Sequence, residues 1–86
     1  MPEISRFFGI VIRMYFDDHN PPHFHAEYGG KQALFDINAL AAFSGRLAPR
    51  AMGLVTEWAA LHQKELLENW RRARALEALQ QIEPLE

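Results

Sequence analysis

The sequence predicts an α+β domain: an antiparallel sheet of three or four strands, with one face covered by a long C-terminal helix. Three observations lead there. Residues up to about 44 hold most of the aromatics and alternate in polarity with a period of two. Residues from about 48 onward are rich in Ala, Leu, Glu and Arg and repeat at helical spacing. The two regimes meet once in a chain of 86 residues, which suits a single domain over 1–86, with sheet at about 6–44 and helix at about 49–79. Hydrophobic residues make up 49% and charged residues 23%, a folded rather than disordered composition. At this size the core is small and stability marginal.

The first strand is read as "RFFGIVIRMYF", residues 6–16. Phe8, Ile10, Ile12, Met14 and Phe16 form an apolar row facing the core. "DHNPP" then turns the chain, as Asp, Asn and Pro do. "HFHAEYG", residues 23–29, follows as a second strand. Phe24, Ala26 and Tyr28 face the core, and His23, His25 and Glu27 face away from it. A hairpin centred on Asn20 pairs Phe16 with Phe24, Asp17 with His23, Tyr15 with His25 and Arg13 with Glu27. A slip of one residue would turn the apolar row to water, whereas a slip of two changes partners and keeps the faces. "YGGK" is a second turn signal and "QALFDI" a third strand; "NALAAFSG" reads as a turn and a short fourth strand. Pro49 suits a helix start. From there Leu54, Val55, Trp58, Leu61 or His62, Leu66, Trp70, Ala73 and Leu76 form one stripe, with a bend expected near Gly53. The tail "IEPLE" is either loose or docked through Ile82 and Leu85.

Composition narrows the function. The absence of cysteine excludes disulfides and thiolate metal sites. The N-terminal apolar stretch is broken by Arg13 and too short to cross a bilayer, so a cytoplasmic protein without a membrane partner is expected. A net charge of −2 argues against binding nucleic acid mainly through phosphates. "RRAR" is a local exception that would suit RNA or an acidic partner, but it also reads as a solvated helix end.

The run "DDHNPPHFHAEYGG" holds the chemistry. His23 and His25 leave one face of a strand, a spacing that suits two imidazoles on one metal ion. Asp17, Asp18, His19 or Glu27 would supply a third ligand, with Asp17 the leading choice. Such a nitrogen and oxygen set suits zinc or another divalent ion of catalytic type. A metal-free alternative uses His25, Tyr15, Arg13 and Glu27 as a general acid/base site of the kind small ribonucleases use. The plainest alternative is a solvated sheet face that needs polar residues. With Phe7, Val11 and Tyr15 nearby, the same face would also serve as a protein contact surface.

"ISRFFGIVIRMYFDDHNPPHFHAEYGG", Ser44-Gly45 and "EWAALHQKELLENW" together closely resemble a family of small bacterial proteins catalogued as domain of unknown function 4160. The resemblance spans nearly the whole chain, and its signature is Asp17, Asp18, His19, Asn20, Pro21, Pro22, His23, His25 and Glu27. "FDINALAAFSGRL" departs from a more polar hairpin in relatives. The resemblance implies a cytosolic protein encoded beside a second small protein, some such pairs being toxin–antitoxin-like. It implies no activity, ligand or catalytic residue. The leading expectation is therefore a partner-binding component of a two-gene module, contacting its partner through Arg13, Tyr15, His23, His25 and Glu27. The rival is a small enzyme, a metal-dependent hydrolase or a His-based ribonuclease, built on the His23/His25 face.

Overall fold

The structure is a computed structural model and describes residues 2–86. Five strands run in chain order: β1 (Glu3–Phe7), β2 (Ile10–Arg13), β3 (His23–Tyr28), β4 (Lys31–Asp36) and β5 (Ala41–Gly45). They form one antiparallel sheet in the order β1-β2-β3-β4-β5. Two helices follow, α1 (Pro49–Leu61) and α2 (Gln63–Arg74). The α+β class is as expected, with five strands rather than three or four and two helices rather than one.

The extra strand comes from a turn hidden inside the apolar run. Phe8 and Gly9 both take positive φ, 50° and 80°, between the paired residues Phe7 and Ile10. Two left-handed residues in succession make the tight hairpin turn that right-twisted strands favour. Phe8 therefore leaves the core row and is exposed, whereas Ile10, Ile12 and Met14 are fully buried. Gly29 and Gly30 make the same kind of turn between β3 and β4, where "YGGK" announced it.

β2 and β3 pair Val11 with Glu27, Ile12 with Ala26 and Arg13 with His25. This is the two-residue slip from the expected register, so the faces of the paired residues stand and the partners change; Phe16 and Tyr28, expected in the core, are exposed, and Phe7, expected on the other face, is buried. Arg13 still reaches Glu27 diagonally, its Nε donating to Oε2 at 3.1 Å. Phe24 and Phe35 stack on the core face at 5.3 Å, and Trp58 of α1 meets Phe24 edge-on at 5.7 Å.

The helix breaks at His62 (φ −122°, ψ 25°), not near Gly53. His62 leans on Trp58, and its Nδ1 and the Glu65 carboxylate are 2.6 Å apart in the first turn of α2. Gln63 anchors the break by donating to the Ile37 carbonyl at 2.8 Å. With the break, α1 lies over the sheet while α2 passes its end, and Leu66, Trp70 and Ala73 are buried there. α2 stops at Arg74, short of the expected 79. Leu76 takes φ 60°, and the amides of Leu76 and Glu77 bond back to Ala73 and Arg72. Those two bonds are the standard closure of a helix C-terminus.

The tail is docked. Ile82 donates its amide to Ile4 at 2.8 Å, Trp58 Nε1 donates to the Glu83 carbonyl, and buried Asn69 bonds both the amide and the carbonyl of Gln80. Among the described residues, no helix is long and apolar enough to cross a membrane.

Candidate functional site

The site is built where the loop 14–22 returns to β3. Asp17 opens it in a left-handed conformation (φ 53°), which a short polar side chain tolerates. Its amide donates to the Ala73 carbonyl at 3.1 Å, tying the loop to the end of α2. The Asp17 side chain is 75% exposed and faces Arg74 at 3.9 Å. Asp17 is therefore not brought to the imidazoles. Asp18, the next residue, turns inward instead.

Asp18 Oδ1 accepts the His19 amide at 2.8 Å. Its Oδ2 lies 3.0 Å from His23 Nε2 and 3.4 Å from His25 Nε2. Burial works to raise the Asp18 pKa, but the His19 amide, the His25 hydrogen bond and the charges of both imidazoles outweigh it, and the carboxyl sits below its ordinary value. The Asn20–Pro21 bond is cis, and the Pro21 carbonyl faces His23 Nδ1 at 2.7 Å. A carbonyl only accepts, so Nδ1 carries the proton and Nε2 is the atom turned toward Asp18. Asp18, His23 and His25 each offer one ligand atom, all within 4.8 Å of one another.

The two imidazoles share a face, with ring centroids 5.3 Å apart, but they are not equally open. His23 was expected on a wet face and is only 5% exposed. Trp70 of α2 lies 5.2 Å from its ring and Phe43 of β5 meets it edge-on at 5.5 Å. The chain changes direction at His62, and Trp70 of α2 reaches His23 at the end of β3. His25 is half-buried, with Tyr15 edge-on at 4.5 Å and Arg13 its cross-strand partner. Its Nδ1 is buried without a hydrogen-bond partner among the described residues. Glu27 lies farther along β3 and is held by Arg13.

The structure thus joins His23, His25 and Asp18, sets Tyr15 beside them, and leaves Arg13 and Glu27 as an adjoining ion pair. Phe43, Trp70 and the Pro21 carbonyl are members that the local motif did not reveal. The helical stripe had marked Trp70 as core, which it is, but not what it covers. His62 lies at the helix break. The basic triplet is engaged: Arg71 and Arg72 hold Glu68 at 2.8 and 3.0 Å, and Arg74 faces Asp17.

A model of the domain of unknown function DUF4160 matches residues 9–71. The chain belongs to the DUF4160 family. The DUF4160 match takes in the loop, both imidazoles and the helix break, so the whole site lies within the family's own region. No curated protein and no solved structure matches the chain.

Proposed function

We propose that this protein is a partner-binding component of a two-gene, toxin–antitoxin-like module, and that it meets its partner at the open edge of the sheet. One observation carries the reading: β5 is exposed at every position but Ala42, and Phe43 within it is 49% exposed. An open edge strand offers a row of backbone donors and acceptors to an extended segment of another chain. The opposite edge is not equivalent, because the docked tail bonds to β1 at Glu3 and Ile4. β5 carries neither charge nor proline to guard the edge, and its one guard is the bulge where the β4–β5 pairing shifts. On this reading the contact lies beside the histidine face rather than on it, in keeping with the burial of His23.

The enzyme readings have less support. A catalytic centre sits in a concavity that takes substrate. The hollow lined by Gly9, Tyr28 and Gly30 takes in Glu27 but neither His23 nor His25, and the one lined by Ala60 and Glu65 takes in His62. The partner reading is tested by mixing the protein with the second small protein encoded beside it and measuring complex formation by size exclusion with light scattering. A complex is expected, and Phe43→Lys should abolish it. Absence of a complex, or one indifferent to a charge at position 43, refutes the reading.

A further inference from the structure

We propose that Asp18, His23 and His25 bind one divalent transition-metal ion, zinc by the chemistry of the donors, through Asp18 Oδ2 and the two Nε2 atoms. The inference is independent of the docking surface at β5.

The spacing is the first reason. Zinc bonds to nitrogen and oxygen of about 2.0–2.2 Å place tetrahedral ligands about 3.3–3.6 Å apart. The contacts of Asp18 Oδ2 with the two Nε2 atoms, 3.0 and 3.4 Å, are close to that edge length. All three donor atoms lie within 4.8 Å of one another, and an ion draws the set together through side-chain rotation.

Proton placement is the second. His23 Nδ1–H is committed to the Pro21 carbonyl at 2.7 Å. In a neutral imidazole the Nε2 lone pair then points at a carboxylate oxygen 3.0 Å away. With a proton on Nε2 the contact is an ion pair; without it, a cation between the two lone pairs takes the proton's place. A backbone carbonyl on the far nitrogen is also how metal-bound histidines are usually oriented.

The third is orientation of the carboxylate. The His19 amide holds Asp18 Oδ1, which leaves Oδ2 as the oxygen turned to both rings. Around the donors stand Trp70, Phe43 and Tyr15, an aromatic wall that keeps the site dry on the protein side. Two imidazoles and one carboxylate leave a fourth position for water or an incoming ligand, on the side of Asp18, the most exposed of the three side chains. The absence of cysteine keeps the set borderline, suited to zinc and cobalt rather than to soft ions.

The test uses the full chain purified without a polyhistidine tag and stripped with chelator. Zinc is titrated by calorimetry and cobalt by visible absorption. One ion per chain is expected, with affinity falling about a hundredfold or more in Asp18→Asn and in His25→Ala. Glu57→Ala, removing an exposed carboxylate on α1 outside the cluster, should bind as the parent does. Circular dichroism checks that each variant is folded; if His25→Ala is not, the near-isosteric Asp18→Asn decides. The proposal is overturned if the parent chain binds neither ion at micromolar concentration, or if Asp18→Asn binds as tightly as the parent.

Discussion

Leu76→Gly should stabilise this protein although it deletes a large apolar side chain. Leu76 is the left-handed residue that closes α2, with φ 60°. Left-handed backbone costs a residue bearing a Cβ about 1–2 kcal/mol, because Cβ crowds the following carbonyl. Glycine escapes that cost but loses about 0.4–1 kcal/mol through the extra freedom of its unfolded chain. Little packing is at stake, since Leu76 is 70% exposed. The balance favours glycine by about 0.5–1 kcal/mol. For a domain of this size each kcal/mol moves the melting temperature by about 4–8 °C, so a rise of about 2–8 °C is expected. Thermal unfolding followed by circular dichroism measures it, with a urea titration to confirm an unchanged slope. Leu76→Ala is the control: it keeps Cβ and therefore the strain, and should melt with the parent. A Gly variant no more stable than the parent, or an Ala variant that rises as much, would refute the backbone explanation.

Gly45→Ala should do the opposite. Its φ is +74° and a Cβ there would collide with the Gln32 carbonyl oxygen, so a loss of about 2–3 kcal/mol in urea unfolding is expected. Asn69→Ala removes both bonds to the Gln80 backbone and should cost about 1–3 kcal/mol; hydrogen exchange should show the Ile82 amide, not those of the β3–β4 ladder, losing protection first. Zinc at a hundredfold excess over its dissociation constant should add up to about 2.7 kcal/mol to the parent, less whatever the unfolded histidine run binds, and almost nothing to Asp18→Asn; calorimetric melting of the pair reads the difference.

The faces of the central strands were legible in the sequence because side-chain alternation is geometric: Ile12, Phe24 and Ala26 had to lie opposite Arg13, His25 and Glu27. Register was not, because a slip of two preserves every face. The turn at Phe8-Gly9 was masked because Phe8 fits the apolar row and carries no turn signal of its own. The break at His62 has no glycine or proline to mark it; it depends on Gln63 finding the Ile37 carbonyl, a contact 26 residues away in the chain. At the site, adjacent aspartates of identical chemistry were separated only by backbone conformation. Asp17 takes the left-handed turn and its side chain goes to Arg74, so Asp18 inherits the imidazoles. The burial of His23 likewise followed from tertiary geometry, since it needs α2 to swing Trp70 over the end of β3.

The two histidines consequently have different physical standing. His23 is fixed by Pro21, Trp70 and Phe43, whereas His25 sits beside Tyr15 and Arg13 on the β2 side. Phe43 connects the proposed docking edge to the cluster. The β4–β5 pairing shifts between Leu34 and Phe35, whose partners are Ser44 and Ala42, which leaves Phe43 as the extra residue of a bulge. Bulges redirect a side chain, and this one sets the Phe43 ring against His23 at 5.5 Å. A strand added along β5 would press on that ring and so on the wall of His23, while leaving His25 untouched. An ion held by His23 and a chain held at β5 would therefore act on one shared aromatic contact, and whatever free energy couples them must appear equally in both affinities.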